Sequence, residues 1–137
     1  MIRVYVAGSF TGRHRIAKEI KTLPAYFKVL GRWFDDGFFL EKQWNGDIGG
    51  DVACTMAKVD VWDILSGDLV IVDSVDKSST GGSDTELGAG IILAVLNRIT
   101  VIHIGPYRNI FQTLANEHYE TWDAFREHLG RTLAYDV

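Results

Sequence analysis

The stretch that decides the fold runs from Leu69 to Leu96. It begins with L-V-I-V-D at 69–73, a continuous apolar run that predicts a buried strand. A glycine-rich polar loop follows, with S-S-T-G-G-S-D-T-E-L-G at 78–88, and it leads into an apolar helix that carries the acid Glu86. This arrangement directs one carboxylate toward a ligand.

The loop has two properties that suit a ligand site. Gly81, Gly82 and Gly88 let the backbone approach a ligand closely, and the start of a helix offers free N–H groups and the positive end of its dipole. We therefore expect Glu86 to stay ionised. The loop has neither the G-K-[ST] of a P-loop nor the G-x-G-x-x-G spacing of a dinucleotide site. A structural role is the alternative, because Ser83 and Glu86 have the spacing of a capping box.

The rest of the chain alternates strands with helices. The predicted elements are a strand at 2–7, a helix from after G-S-F-T-G to about Tyr26, a strand at 27–33, a loop at 34–50, a helix at 51–66, a strand at 68–73, a helix at 84–97, a strand at 99–104, and a last helix, W-D-A-F-R-E-H-L, capped by Thr121. Nearly continuous apolar strands are typical of sheets covered on both faces. We expect an α/β fold, a doubly wound parallel sheet of the flavodoxin or Rossmann-like kind, in one domain over residues 1–137.

Composition limits the classes of protein. The 137 residues, 47% hydrophobic and 12% aromatic, suit one globular domain with a proper core. A net charge of -4 with scattered Lys and Arg argues against nucleic acid as a partner, and no apolar run is long enough for a membrane span. The single cysteine, Cys54, excludes a disulfide framework, and the N-terminus shows no leader, which favours the cytoplasm. A small ligand, neutral or singly anionic, fits best.

The titratable residues give no metal site and no phosphate acceptor. His14, His103, His118 and His128 lack ligand spacing such as H-x-x-x-H, so we expect no metal ion. Asp73 ends a strand as the phosphate acceptor of a receiver domain does. That interpretation needs an acidic pair after the first strand, where this chain reads A-G-S.

The predicted topology gathers polar side chains at one edge of the sheet. Ligands of such sheets bind beside the first strand, where the strand order reverses. We expect the loops at 8–14, 34–50 and 74–85 to converge there. Trp33 and Trp44, which bracket a loop rich in Gly and Asp, suit stacking on a flat heterocycle, although they could also be core residues. The side chains expected at this crevice are Tyr5, Ser9, Trp33, Asp35, Asp36, Trp44, Thr80 and Glu86.

Three segments resemble signature segments of the nucleoside 2-deoxyribosyltransferase family. They are V-Y-V-A-G-S-F at 4–10, D-V-W-D-I-L-S-G-D-L-V-I-V at 60–72 and T-G-G-S-D-T-E-L-G-A-G at 80–90, in the family's order. N-I-F-Q-T-L at 109–114, followed by Y-E-T-W-D-A-F, is similar to the family's C-terminal part, so the resemblance spans nearly the whole chain. It implies a flavodoxin-like sheet and cleavage and transfer of the N-glycosidic bond of a 2'-deoxynucleoside, without a cofactor.

The resemblance also implies roles for individual residues. By position, Glu86 would be the nucleophile that attacks the anomeric carbon, Tyr5 would orient it, and Asp60 would bind or protonate the base. The chemistry agrees, because a carboxylate stabilises an oxocarbenium-like transition state and then captures the sugar as an ester, while a protonated base leaves more easily. The expected substrate-binding residues are Gly8, Ser9, Trp33, Thr80, Gly82 and Asn109.

Departures from the family pattern leave the substrate open. Thr80 stands where many of the transferases have Asp, and relatives that hydrolyse deoxynucleoside 5'-monophosphates have a small hydroxyl residue there, which can donate to a phosphate. Those hydrolases have an arginine at the position of Thr11, whereas the nearest arginine here is Arg13. Three functions remain: deoxyribosyl transfer, hydrolysis of a deoxynucleoside 5'-monophosphate, and nucleotide binding or sensing without catalysis.

The same sequence predicts a homo-oligomer, a dimer or higher. The apolar and aromatic content is large for a chain of this size. The resemblance adds that a neighbour's C-terminal segment completes each site, which points to Asn109 and its flanking residues.

Overall fold

The computed structural model describes residues 1–31, 51–77 and 82–135, which form a five-stranded parallel sheet. The strand order is β2-β1-β3-β4-β5. Strand addition therefore reverses at β1, as in doubly wound flavodoxin-like sheets. The predicted fold class and the switch point beside the first strand are confirmed. The strands are β1 (Ile2–Ala7), β2 (Phe27–Leu30), β3 (Leu69–Asp73), β4 (Thr100–Ile104) and β5 (Glu117–Tyr119).

Four α-helices accompany the sheet in the described part of the chain: α1 (Arg13–Ile20), α2 (Asp51–Ser66), α3 (Gly82–Val95) and α4 (Trp122–Tyr135). Short 3-10 helices lie at Phe10–Gly12 and Ile110–Leu114. Across the described ranges, no helix has both the length and the apolar character needed to span a membrane.

The first helix ends earlier than predicted. Beyond Ile20 the backbone changes to tighter bonds, with Thr22 N–H donating to the carbonyl of Glu19 and Leu23 N–H to that of Ile20. Pro24 lies just beyond and cannot continue a helix, since it has no N–H and its ring clashes with the preceding turn. The predicted extension to Tyr26 is therefore a turn that leads into β2.

At the C-terminal end of the chain, the sequence predicts the cap of α4 but not the strand β5. Thr121 caps α4 as predicted, because its Oγ1 accepts from the N–H of Ala124 at 3.1 Å. The strand β5 was not predicted. Its three residues, E-H-Y, are too short and too polar to give an apolar run, and it forms by pairing with Ile102–Ile104 of β4 at the edge of the sheet.

The core lies on the central strands, where every residue of β3 is buried. Each helix contributes one fully buried apolar anchor to it, namely Ile16 of α1, Ile64 of α2, Leu87 of α3 and Phe125 of α4. Burying such a side chain stabilises the fold by about 1.5–3 kcal/mol. Tyr5 also lies in this core, so its hydroxyl is a polar group inside an apolar layer.

A buried acid fixes the end of β3. Asp73 accepts from Arg15 Nη1 and Nη2 at 3.0 and 2.8 Å, from Trp122 Nε1 at 2.7 Å and from the N–H of Val75 at 3.0 Å. These bonds tie α1 and α4 to the carboxyl edge of the sheet. Asp73 therefore has a structural role.

A chain of hydrogen bonds joins β3, β4 and β5 at the same edge. Ser74 Oγ donates to the carbonyl of Pro106 at 2.5 Å, and a carbonyl can only accept, so His103 Nε2 donates to Ser74 Oγ at 2.7 Å. His103 Nδ1 is left to accept from His118 Nδ1 at 2.8 Å. Burial, reinforced by the charge of His118, lowers the pKa of His103 to about 4. The neutral form of His103 therefore contributes fully to stability above pH 6.5, the ordinary pKa of the side chain. This contribution is lost as the pH falls toward 4, because the imidazole then gains a proton more easily in the unfolded chain.

Two Asp→Asn variants test the role of the buried acid. We expect Asp73→Asn to lower the free energy of unfolding by about 2–4 kcal/mol, because it leaves the guanidinium of Arg15 without its buried counter-ion. Asp68→Asn is the matched control, since Asp68 pairs with Arg3 at the surface with both side chains half exposed. Its loss should stay below about 1 kcal/mol. Urea unfolding gives both values, and equal losses would contradict the assignment.

Candidate active site

Tyr5, Asp60 and Glu86 come from three elements and converge inside the protein. Tyr5 lies in the middle of β1 and is fully buried. Asp60 lies on α2 and Glu86 on α3, and these two helices pack against each other and against β1. The hydroxyl of Tyr5 faces both carboxyl groups, whose charges act on it. The structure thus brings together the three residues that the sequence predicts to be catalytic.

Three polar atoms of this group lack hydrogen bonds. Tyr5 Oη, Asp60 Oδ1 and Glu86 Oε2 are buried, and none has a partner among the described residues. The three groups nevertheless lie close enough for the charges of Glu86 and Asp60 to act on Tyr5. Each unsatisfied buried group costs about 1–3 kcal/mol, and such groups are rare in native proteins. Their occurrence together is typical of a site where a ligand completes the hydrogen bonds.

Burial controls the charge of Glu86. Burial and, to a smaller extent, the charge of Asp60 raise the pKa of Glu86 to about 8, and the Tyr5 hydroxyl opposes the shift. The direction of this shift is opposite to the expectation that Glu86 stays ionised. Glu86 is the fifth residue of α3, and the helix dipole falls off within the first turn, so it does not offset the loss of water.

The observed helix start also bears on the capping alternative. α3 begins at Gly82, which places Ser83 inside the helix and not at the N-cap. A capping box needs the Ser at the N-cap and the Glu three residues later, whereas Glu86 lies in the second turn. This geometry does not favour a capping role for Glu86.

The pKa values of Asp60 and Tyr5, the other two groups of the cluster, are raised as well. Burial raises the pKa of Asp60 to about 6, with Tyr5 opposing the shift and Asp63 of the same helix adding to it. The pKa of Tyr5 is raised far above its ordinary value by burial and then by the charges of Glu86 and Asp60. Tyr5 therefore keeps its proton at any physiological pH.

Burial favours the protonated form of both carboxyl groups, and the charge of Asp60 makes ionisation of Glu86 still less favourable. A pair of carboxyl groups with one proton can supply a nucleophile and an acid, which is the combination that cleavage of a glycosidic bond uses.

The loop after β1 turns at the carboxyl edge of the sheet. A Cβ on Gly8 would lie 2.5 Å from Ile16 Cδ1, so a larger residue here would displace the end of this buried side chain of α1. Ser9 is buried, and its Oγ lies 2.8 Å from Thr11 Oγ1. The binding roles of Gly8 and Ser9 remain predictions.

The remaining predicted binding residues fall into two groups. Trp33 and Thr80 lie outside the described residues. Gly82 is the first residue of α3, and Asn109 precedes the 3-10 helix that follows β4. The Oδ1 of Asn109 accepts from the N–H groups of Phe111 and Gln112, so it caps that helix. A contact of Gly82 or Asn109 with substrate remains a prediction.

The sequence did not predict how strongly burial raises the pKa values of Asp60 and Glu86. One signal was present, because Glu86 is followed by L-G-A-G-I-I-L-A-V at 87–95, which makes this part of the helix apolar on nearly all sides and so favours desolvation of that acid. No comparable signal marks the bonds of Arg15 and Trp122 to Asp73, which are contacts over long sequence separations. The described ranges contain no group of three or more His, Cys, Asp or Glu side chains that could hold a metal ion.

Comparison with solved structures identifies proteins of the same fold. One is a 2-deoxyribosyltransferase from the psychrotolerant bacterium Bacillus psychrosaccharolyticus, with a TM-score of 0.62 and 19% identity over 88% of this chain and 88% of that one. Another is the CMP N-glycosidase of Clostridium botulinum, with a TM-score of 0.54 and 19% identity over 95% of this chain and 98% of that one. Neither a protein-family model nor a curated protein matches the sequence.

These likenesses bear on the fold. The chain has the fold of a 2-deoxyribosyltransferase and of a nucleotide N-glycosidase, as the resemblance in its sequence predicted. Both matches extend over most of each chain.

Replacing the carboxyl group of Glu86 by an amide should stabilise the folded protein at alkaline pH. A group whose pKa is raised on folding favours the folded state at low pH, and this contribution is lost as the pH rises through the folded value. For Glu86 the loss falls between its ordinary pKa of 4.5 and about 8. We expect Glu86→Gln to increase the free energy of unfolding at pH 8.5 by about 1 kcal/mol or more, and to change it much less at pH 4.5.

Urea unfolding at the two pH values measures this difference. Glu127→Gln on α4 is the control, because that carboxylate is exposed and paired with Arg131 at the surface. A Glu86→Gln protein that is less stable than wild type at pH 8.5 would mean that the carboxylate is satisfied in the folded state.

Proposed function

We propose that this protein cleaves the N-glycosidic bond of a 2'-deoxynucleoside or of its 5'-monophosphate, and transfers the sugar to a second base. The observation that carries the proposal is the buried group of Tyr5, Asp60 and Glu86, whose polar atoms lack partners in the described part of the chain. The shared fold with a 2-deoxyribosyltransferase and a CMP N-glycosidase supports it, as do the sequence segments that carry these three residues.

The proposed reaction has two steps. In the first, the carboxylate of Glu86 attacks the anomeric carbon, the bond from that carbon to the base nitrogen breaks, and its electron pair leaves with the base. Asp60 in its protonated form gives a proton to the base, which makes it a better leaving group. In the second, another base attacks the deoxyribosyl ester and frees Glu86.

Hydrolysis is the alternative outcome of the same first step, with water in place of the second base. The two structural neighbours illustrate both outcomes, since one is a transferase and the other an N-glycosidase of CMP. For the 5' end of the substrate, Thr80 favours a phosphate, which a hydroxyl can bind and a carboxylate would repel. Deoxyribosyl transfer, hydrolysis of a 5'-monophosphate and binding without catalysis remain separable by their products.

Product analysis tests the proposal. The protein is incubated with a deoxynucleoside, or with its 5'-monophosphate, together with a second free base. A new nucleoside identifies a transferase and free sugar a hydrolase. Binding with neither product would overturn the proposed activity in favour of a sensing domain.

The catalytic assignment predicts unequal effects of two Glu→Gln variants. We expect Glu86→Gln to lower the rate of base release by several hundredfold or more, about 3–5 kcal/mol of barrier, because an amide cannot form the ester. Glu127→Gln should leave the rate unchanged. Circular dichroism confirms that both are folded, and near-normal activity of Glu86→Gln would remove Glu86 from the reaction.

We further propose that the active protein is a homo-oligomer. α2 exposes Val61, Trp62 and Leu65, and α3, which packs beside it, exposes Ile92 and Val95, with exposed Leu96 directly after its last residue. An apolar surface this large on neighbouring helices is typical of an interface between subunits. The 3-10 helix after Asn109, with Ile110, Phe111 and Leu114 exposed, packs against α3 and would lie at the margin of such an interface.

A charge placed on this surface should dissociate the oligomer. We expect Trp62→Glu to give monomers in light scattering at micromolar concentration, because burying an unpaired carboxylate at an interface costs several kcal/mol. Lys21→Glu, an exposed position at the end of α1, is the control. A wild-type monomer with full activity would contradict the proposal.

A further inference from the structure

Asp76 is a second acid on a guanidinium that already has a counter-ion. It lies in the loop after β3 and accepts from Arg15 Nε at 3.2 Å and from Arg15 Nη2 at 2.9 Å. The buried carboxylate of Asp73 already pairs with Nη1 and Nη2 of the same side chain. Because the side chain of Asp76 is 40% exposed, its charge adds little to the stability of the fold. Neutralising Arg15 therefore does not account for Asp76.

The carboxylate of Asp76 also touches the loop after β1. A Cβ on Gly12 would overlap Asp76 Oδ2, so the carboxylate packs directly on the backbone of Gly12. That backbone has φ -90° and ψ 5°, which other residues can adopt, so the close approach of Asp76 is what favours glycine there. Asp76 thus links the loop after β3 to the loop after β1, through Gly12 and through Arg15 at the start of α1.

We propose that Asp76 is a positioning residue that holds the loop after β1 in the shape that binds substrate. The proposal rests on the function proposed above and on the predicted contact of Gly8 and Ser9 with the substrate. The N–H of Gly12 donates to the carbonyl of Ser9 at 3.0 Å, so a shift of Gly12 is passed on to Ser9. Asp76 therefore acts on binding through the loop and without contact to the ligand.

The two linked loops flank the point where ligands bind in sheets of this kind. β1 and β3 are parallel neighbours, paired as far as Ala7 and Val72, so the loops that follow them leave the same edge side by side. The strand order reverses at β1, and ligands of such sheets bind in the crevice at that reversal. A link between the loops fixes their separation at this crevice. Misplacement of binding groups by about 1 Å is costly for catalysis.

The Michaelis constant for a 2'-deoxynucleoside tests the positioning role. We expect Asp76→Ala to raise KM about tenfold with little change in kcat, because the loop binds the ground state and the transition state alike. Asp76→Asn keeps the shape and an acceptor oxygen, so its KM should stay within about twofold of the wild-type value. Asp68→Ala is the matched control, since Asp68 pairs with Arg3 at the other end of β3. An unchanged KM in Asp76→Ala, or an equal rise in Asp76→Asn, overturns the proposal.

A double variant tests the contact between Asp76 and Gly12. Gly12→Ala places a methyl group where Asp76 Oδ2 lies, so we expect it to raise KM as Asp76→Ala does. In the Asp76→Ala protein the same methyl group meets no carboxylate. The double variant should therefore have the KM of Asp76→Ala alone. Additive increases would show that the two residues act separately, and they would overturn the proposal.

Hydrogen exchange without substrate separates failure of this proposal from failure of the proposed function. NMR follows exchange of the Gly12 amide proton, which is bonded to the carbonyl of Ser9, in wild type and in Asp76→Ala. We expect exchange about tenfold faster in the variant, because the loop opens more often once the link is removed. Unchanged exchange overturns the proposal whether or not the protein cleaves a deoxynucleoside. Faster exchange in a protein that cleaves none would refute the proposed function and leave the link between the loops standing.

Discussion

Two carboxyl groups and a phenol are enclosed where α2 and α3 pack against β1, and the removal of water from these groups governs the chemistry of the site. The enclosure follows from the fold, because β1 is a central strand with a fully buried face and each helix lays an apolar side onto the sheet. It raises the pKa of Glu86 and Asp60 together and leaves three polar atoms without partners in the described chain. Such a cluster reduces the stability of the unliganded protein, a cost that is common at functional sites.

The arrangement of the fold could be predicted wherever the sequence carries a local signal. The apolar run at 69–73 forms β3, the helix predicted at 84–97 is observed at Gly82–Val95, and Thr121 caps α4. The failures have local causes too. α1 stops at Ile20 because Pro24 follows, and β5 is too short and polar to be recognised before β4 gives it a partner.

The resemblance to the deoxyribosyltransferase family pointed to Asp60, Glu86 and Tyr5 by position, and the structure brings these three residues together. Their ionisation depends on contacts between elements that are far apart in sequence, so the helix dipole alone did not indicate that the pKa of Glu86 is raised. The structural role of Asp73 was not predictable for the same reason. Its hydrogen-bond partners Arg15 and Trp122 lie 58 and 49 positions away in the sequence.

The central claim is that Glu86 forms a covalent bond to the sugar, and trapping that bond tests it most directly. The protein is mixed with a 2'-deoxynucleoside, quenched in acid within one turnover, digested and measured by mass spectrometry. The account predicts a deoxyribosyl adduct on the peptide that contains Glu86, absent from the Glu86→Gln protein. Released base without any adduct on that peptide, or an adduct on a different residue, would contradict it.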